Sequence, residues 1–336
     1  MNERFSRIFG KSSIRKKDIE YYFAEGLAKY NLKDYKSAIE DYSKVIKLNP
    51  NDSNTYFNRG LAKYHLSNFE GAIQDNTKAI ELRPDYAEAY RHRGLAKISL
   101  TDYKGAIQDA TKAIELNPTL DLAYCDRGLV KNKLGDIKGA IEDFSKTIEL
   151  KPSEVAYYNR GNAQLQLGEN TGAMEDYTKA IELKPDFALA YRIRGSIKNE
   201  IRDYNGAMQD ATKAIELNPT LELTYCDRGF AKDKLGDIEG AIEDYTKAIE
   251  LKPDITLAHY GRGLCRNKLG NYKDAKEDFT EVIELKPDFA LAYCNRGFAK
   301  YKLGDIQGAK GDYTKAIELK PDFKEAIEAI NNLPMS

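Results

Sequence analysis

The chain has 336 residues, 31% of them charged and 42% hydrophobic, and its acids and bases cancel to a formal charge of −1. Signs interspersed in this way exclude strong non-specific attraction to nucleic acid. No apolar run approaches the ~18 residues that a membrane helix needs, and no continuous apolar segment follows the basic start, so neither a membrane span nor a signal peptide is expected.

In chain order, residues 1–18 come first and are unlike the rest, with Arg4, Arg7, Lys11, Arg15, Lys16 and Lys17 against Glu3 and Asp18. This segment is expected to be a flexible basic arm. The alternative is a membrane-surface or organelle-targeting element, because Phe5, Ile8 and Phe9 have helical spacing on a basic background. From Ile19 the sequence becomes an array. Glycines at 26, 60, 94, 128, 161, 195, 229, 263 and 297 and prolines at 50, 84, 118, 152, 185, 219, 253, 287 and 321 mark nine copies, spaced 34 residues apart save for a one-residue deletion near Ser153. A fixed period of this size means stacked supersecondary units.

Residues 225–254 show what one unit contains. Leu223, Tyr225, Gly229, Phe230 and Leu235 form a helical apolar stripe; Gly236 and Asp237 interrupt it; Ile238, Ala241, Ile242, Tyr245, Ala248, Ile249 and Leu251 resume it. Asp237 is placed to cap the second helix, and Pro253 ends it. Gly229 and Ala241 remove bulk on either side of the turn, so the two helices can approach closely. The unit is an antiparallel helix hairpin, which cannot bury both apolar faces alone and must stack on its neighbours.

Tyr225, Gly229, Ala241, Tyr245, Ala248 and Pro253 stand where the tetratricopeptide repeat asks for an aromatic, a glycine, an alanine, an aromatic, a small residue and a proline. The chain therefore resembles a tetratricopeptide array over residues 19–323. The pattern's leucine before the glycine is Arg in eight copies and Glu25 in the first, and Asn76, Ala110 and Ala211 replace the second aromatic. The resemblance implies an all-α, right-handed superhelical solenoid of antiparallel hairpins, with residues 324–336 as a C-terminal capping helix and tail. It also implies a non-catalytic, cytoplasmic scaffold that binds a protein or peptide in a groove lined by the first helices, within a larger multiprotein assembly. Projected onto the groove positions, the candidates include Phe23, Phe57, Arg91, Cys125, Tyr158, Arg192, Cys226, Phe230, Tyr260 and Phe298. The carboxylate clamp of co-chaperone members is not expected: Asn58 fits its middle position, but Phe23, Leu27, Glu88 and His92 stand where its cationic and amide groups should be.

Little else suggests chemistry. His65, His92 and His259 lie in different copies without metal-ligand spacing, and no glycine-rich phosphate loop is present, so no metal or cofactor is expected. The four cysteines are expected to be free thiols, which suits a reducing compartment. Each of the eight Arg-Gly arginines lies as far before its turn as an aspartate lies after it, as Arg127 and Asp143 do about Gly135, which predicts a structural Arg–Asp ladder. A longer period is also present. Residues 107–120 match residues 208–221 at thirteen of fourteen positions, an offset of 101 residues, and the groove triplet Arg91, Cys125, Tyr158 recurs as Arg192, Cys226, Tyr260. A duplication whose copies have not yet diverged is the expected explanation; the alternative is two equivalent groove sites, each with an arginine for an acidic or carboxylate group and a tyrosine anchor, which would favour a bivalent or repetitive ligand.

Overall fold

The computed structural model describes residues 2–334, with side chains from residue 16 onward. All regular secondary structure among them is α-helical. The chain divides into two compact units, Met1–Glu169 and Asn170–Ser336. The first holds α1 (Asn2–Asn31), α2 (Tyr35–Leu48), α3 (Ser53–His65), α4 (Phe69–Leu82), α5 (Ala87–Ser99), α6 (Tyr103–Leu116), α7 (Asp121–Lys133), α8 (Ile137–Leu150) and α9 (Glu154–Gln166). The second holds α10 (Asn170–Leu183), α11 (Ala188–Glu200), α12 (Tyr204–Leu217), α13 (Glu222–Leu235), α14 (Ile238–Leu251), α15 (Thr256–Lys268), α16 (Tyr272–Leu285), α17 (Ala290–Lys302), α18 (Ile306–Leu319) and α19 (Lys324–Asn331). Within each unit helices pack in sequential hairpins, and the second helix of one hairpin also packs on the first helix of the next. The basic start is continuous with the first copy in α1. The side chains of residues 1–15, on which its expected roles rest, lie outside the described residues.

Local chemistry explains the helix ends. Asp237 accepts a hydrogen bond from Gly240 N at 3.0 Å, and Asp34, Asn68, Asp102, Asp136, Asp203 and Asp305 cap their second helices in the same way. The turn before the cap needs a left-handed residue: Gly236 has φ +89°, a conformation that costs an L side chain about 1–2 kcal/mol. Most first helices begin differently. Tyr86, Leu120, Phe187, Leu221, Ile255 and Phe289 precede them without side-chain caps. Two are capped: Asp52 accepts from Asn54 N at 3.2 Å before α3, and beside the deletion the Ser153 hydroxyl accepts from Ala156 N at 3.3 Å.

Small residues set the hairpin's core. A Cβ on Gly229 would stand 3.3 Å from the Ala241 carbonyl oxygen, so first and second helices meet nearly backbone to backbone. The next hairpin docks on the same aromatic: Tyr245 packs with Cys226, Ile255, Ala258 and Cys265. Where Ala110 or Ala211 replaces the aromatic, the helices still meet closely, with Gly94 and Gly195 held against Ala106 O and Ala207 O. Asn76 fits in its place by donating to Ala72 O at 2.9 Å. At the far end α19 lies on the last hairpin, with Phe323 and Ala326 buried against Ala316.

The Arg–Asp ladder exists, and it is larger than the sequence pattern suggested. In copies two to four and six to nine the arginine grips the aspartate of its own hairpin; Arg194 donates Nε to Asp210 Oδ2 and Nη2 to Asp210 Oδ1, both at 2.8 Å. Its third nitrogen reaches back 3.0 Å to Thr178 Oγ1 on the preceding second helix, joining two hairpins. Lys198, one turn along α11, adds a second cation to Asp210 at 2.8 Å. In the first copy, where Glu25 stands in place of the arginine, Lys29 and Lys44 satisfy Asp41.

His259 occupies the position held by tyrosine in other copies and reproduces its bond. Tyr225 Oη donates to Pro219 O at 3.2 Å; His259 Nε2 lies 2.8 Å from Pro253 O. Its Nδ1 stands 3.9 Å from Asp278 Oδ1. Burial works to lower the His259 pKa, but the Asp278 carboxylate and the Pro253 carbonyl outweigh it, and the pKa is raised.

Two predictions follow from these contacts. Asp210→Leu strands both Arg194 and Lys198 and is expected to cost about 3–5 kcal/mol, whereas Arg194→Leu leaves Asp210 with Lys198 and is expected to cost about 1–2 kcal/mol. Urea denaturation of the two variants measures the order, and equal midpoints would contradict it. A raised histidine pKa stabilises the fold most below the unfolded value near 6.5, and that stabilisation is lost as pH rises through the folded value. The stability difference between the parent and His259→Tyr should therefore shift against the parent as pH rises through this window. A pH-independent difference would show that His259 does not titrate with folding.

Candidate ligand-binding site

The projected groove residues fall into two groups. In the first unit most are already engaged: Phe23 packs on Tyr42 with centroids 5.9 Å apart, and Phe57 lies between Tyr86 at 4.9 Å and His92 at 5.3 Å. The Arg91 guanidinium donates Nε to Asp126 Oδ2 at 2.6 Å. Cys125 and Tyr158 are half-buried. In the second unit Tyr260 accepts from Asn295 Nδ2 at 3.2 Å and packs on Phe279 and Phe289. Phe230 and Phe298 are instead 40% and 38% exposed. Cys226 is buried.

Exposed apolar side chains recur on the first helices of the second unit. Leu189, Leu223, Leu257 and Leu291, each six residues before its repeat glycine, are all exposed, and Phe230 and Phe298 stand one residue after theirs. Such a repeated apolar row on otherwise charged helices is a surface that a partner could cover.

A cavity of 650 Å³ opens on this face between α11 and α13. Leu257, Phe230 and Tyr204 supply apolar wall, with the Tyr204 and Phe230 rings 6.2 Å apart, edge to face. Ser196, Asn199 and Glu200 come from α11, and Cys226, Asp227 and Lys234 from α13. Two acceptors there are buried without a hydrogen-bond partner, Asp227 Oδ2 and Asn199 Oδ1. Asn199 is fixed in this orientation because its Nδ2 donates to the Asp227 carbonyl at 2.9 Å. Burial pushes the Asp227 carboxyl up to about 7, against the lowering influence of Arg192. The Lys234 ammonium lies 5.1 Å over the Phe230 ring and 3.8 Å from Asp233.

The projected candidates therefore included Cys226 and Phe230 but missed Asp227, Tyr204 and Tyr245; Asn199, four residues after Gly195, stands at a projected groove position though it was not among the named candidates. Asp227 lies two residues before the repeat glycine, outside the positions projected as groove-lining, and the tyrosines belong to second helices. The two triplets also differ in their surroundings: Arg91 is bonded to Asp126, while Arg192 makes no ion pair with Asp227 within 4.0 Å.

No group of three His, Cys, Asp or Glu residues placed to hold a metal occurs among the described residues. No helix there is long and apolar enough to cross a membrane. Burial pushes the Cys125 and Cys294 thiols up to about 11 and those of Cys226 and Cys265 to about 12. Thiols of this kind are poor nucleophiles at neutral pH. Iodoacetamide at mild alkaline pH is expected to leave Cys226 and Cys265 unmodified in the folded chain and to alkylate all four thiols in denaturant. Peptide mass mapping checks this, and rapid native labelling of Cys226 would contradict it.

Comparison with known proteins followed the same repeats. One model described as "Tetratricopeptide repeat" matches residues 53–86, 155–187, 223–255, 256–289 and 290–323, a second of the same description matches 87–120 and 122–154, and a third, "TPR repeat", matches 26–67. No curated protein matches. Among solved structures, YrrB, titled a TPR protein with an unusual peptide-binding site, is 27% identical, with a TM-score of 0.51 over 57% of this chain and 99% of its own. PilF of Pseudomonas aeruginosa is 19% identical, with a TM-score of 0.56 over 62% of this chain and 96% of its own. The Cut9-Hcn1 hetero-tetramer of APC/C is 14% identical, with a TM-score of 0.55 over 93% of this chain and 75% of its own. The last two share the fold.

Proposed function

The chain belongs to the tetratricopeptide repeat family, and on that premise we propose that it is a non-catalytic scaffold whose first-helix face binds an extended or helical peptide by apolar anchors. The observation that carries this reading is the row of exposed Leu189, Leu223, Leu257 and Leu291, with Phe230 and Phe298 beside it. These side chains repeat at the spacing of the hairpins, so successive anchors of one peptide could each meet an equivalent position. Aromatic residues such as these phenylalanines are enriched at the cores of such interfaces. The structural relative YrrB, whose title reports a peptide-binding site, supports the same reading.

Random dodecapeptides displayed on phage and selected on the full chain would test it. Selected peptides should carry spaced apolar residues and should lose about tenfold or more in affinity on Leu223→Lys or Leu291→Lys, since a charge in a desolvated anchor site is costly. Leu251→Lys, on an exposed second-helix position, should leave binding unchanged. Failure to select any peptide, or equal effects of all three variants, would refute the proposal.

A further inference from the structure

We propose that the cavity between α11 and α13 receives a lysine or arginine side chain of the bound peptide, with its cation held by Asp227 and Asn199. The inference rests on the peptide-binding reading and specifies the chemistry of one anchor.

The first argument is complementarity. The Asp227 Oδ2 and Asn199 Oδ1 atoms are both acceptors, both buried and both without a partner. Leaving such atoms unpaired is costly, and a ligand offering donors recovers that cost. The amide cannot turn its nitrogen inward, because Nδ2 is committed to the Asp227 carbonyl. A group with several N–H donors and positive charge complements two acceptors of this kind, and ammonium and guanidinium are the side-chain groups that have them. The walls suit the rest of such a side chain: Phe230, Tyr204 and Leu257 offer apolar surface to its methylenes, and Glu200 adds a carboxylate at the rim.

The second argument comes from the duplication. The segments 107–120 and 208–221 differ at one position, yet between Gly94 and Asp102 six of the seven residues differ from their counterparts after Gly195. Leu95, Ile98 and Ser99 have become Ser196, Asn199 and Glu200, and all three replacements line the cavity. The two copies thus differ at the cavity wall, where Ser196 and Asn199 stand against Leu95 and Ile98 and Glu200 against Ser99, while the adjoining second helix is nearly the same in both. In the earlier copy the corresponding acid, Asp126, is already paired with Arg91.

The charged and titratable surroundings decide the pH dependence. Arg192 and Glu200 act on Asp227 from α11, Arg202 lies at the following turn, Lys234 stands on α13, and Tyr245 faces it from α14. The Cys226 and Cys265 thiols are pushed up to about 12 and the Tyr245 phenol is also raised, so these groups stay neutral near pH 7. With its carboxyl pushed up to about 7 in the empty cavity, Asp227 must release a proton to bind a cation. Affinity for the cation should therefore rise with pH and level off above 7.

The phage selection on the full chain provides the test. The selected peptides are expected to share one Lys or Arg at a fixed distance from their apolar residues, and a selected lysine peptide should bind about tenfold tighter at pH 8 than at pH 6. Asp227→Asn should abolish both the cation preference and the pH dependence while apolar anchors still bind. Asn199→Leu should weaken the lysine peptide several-fold, and Arg192→Ala should leave its binding intact or tighten it. If peptides bind without a cation preference, if the preference survives Asp227→Asn, or if Arg192→Ala destroys it, the proposal is overturned and peptide binding itself stands. If no peptide binds, the failure lies in the reading of the face.

Discussion

The hairpins depend on a carboxylate buried where two second helices and one first helix meet. Asp244 is 3% exposed, yet it carries a bidentate arginine on one side and a lysine on the other, Arg228 and Lys232. A buried aspartate alone would be costly, and two opposed cations satisfy its oxygens through charge-assisted bonds. The arginine also reaches Thr212 on the preceding second helix. One side chain therefore settles both how a hairpin closes and how it sits on its neighbour. The clasp carries no chemistry, since every atom that could act on a substrate is already bonded.

This arrangement leaves the other side of the first helices free. Glycine and alanine occupy the close approach within the hairpin, and the arginine and lysine of the clasp point toward the second helix. The remaining first-helix positions are not needed for stacking in every copy. Exposed apolar side chains stand there in both units, Leu27, Leu122, Leu129 and Val155 in the first and Leu189, Leu223, Leu257 and Leu291 in the second, while Phe23, Phe57 and Arg91 are engaged with neighbours. The same first helices thus supply packed and open positions side by side.

The cavity shows how small such a change can be. Ser196 in place of Leu95 removes bulk, and Asn199 in place of Ile98 brings an amide that binds the Asp227 backbone rather than its carboxylate. The result is a buried acid with an unpaired oxygen in a family of helices whose other buried acids are saturated. A saturated acid is a structural element, and an unsaturated one is a site.

Much of this was legible in the letters. The period, the capping Asp237, the terminating Pro253 and the Gly229–Ala241 contact follow from local propensity and spacing, which do not depend on neighbours. The Arg–Asp register was legible too, because an antiparallel hairpin places residues equidistant from its turn side by side. Lys198 and Thr178 as further partners in the clasp were not, since Thr178 meets Arg194 only after hairpins stack. The surroundings of Arg91 and Arg192 were equally hidden. The two triplets are written alike, but whether the acid beside each arginine is paired depends on burial and on side chains from an adjoining helix. Sequence spacing determined which residues share a hairpin; only tertiary packing decided which polar atoms were left without water or a partner, because desolvation is a property of the assembled neighbourhood.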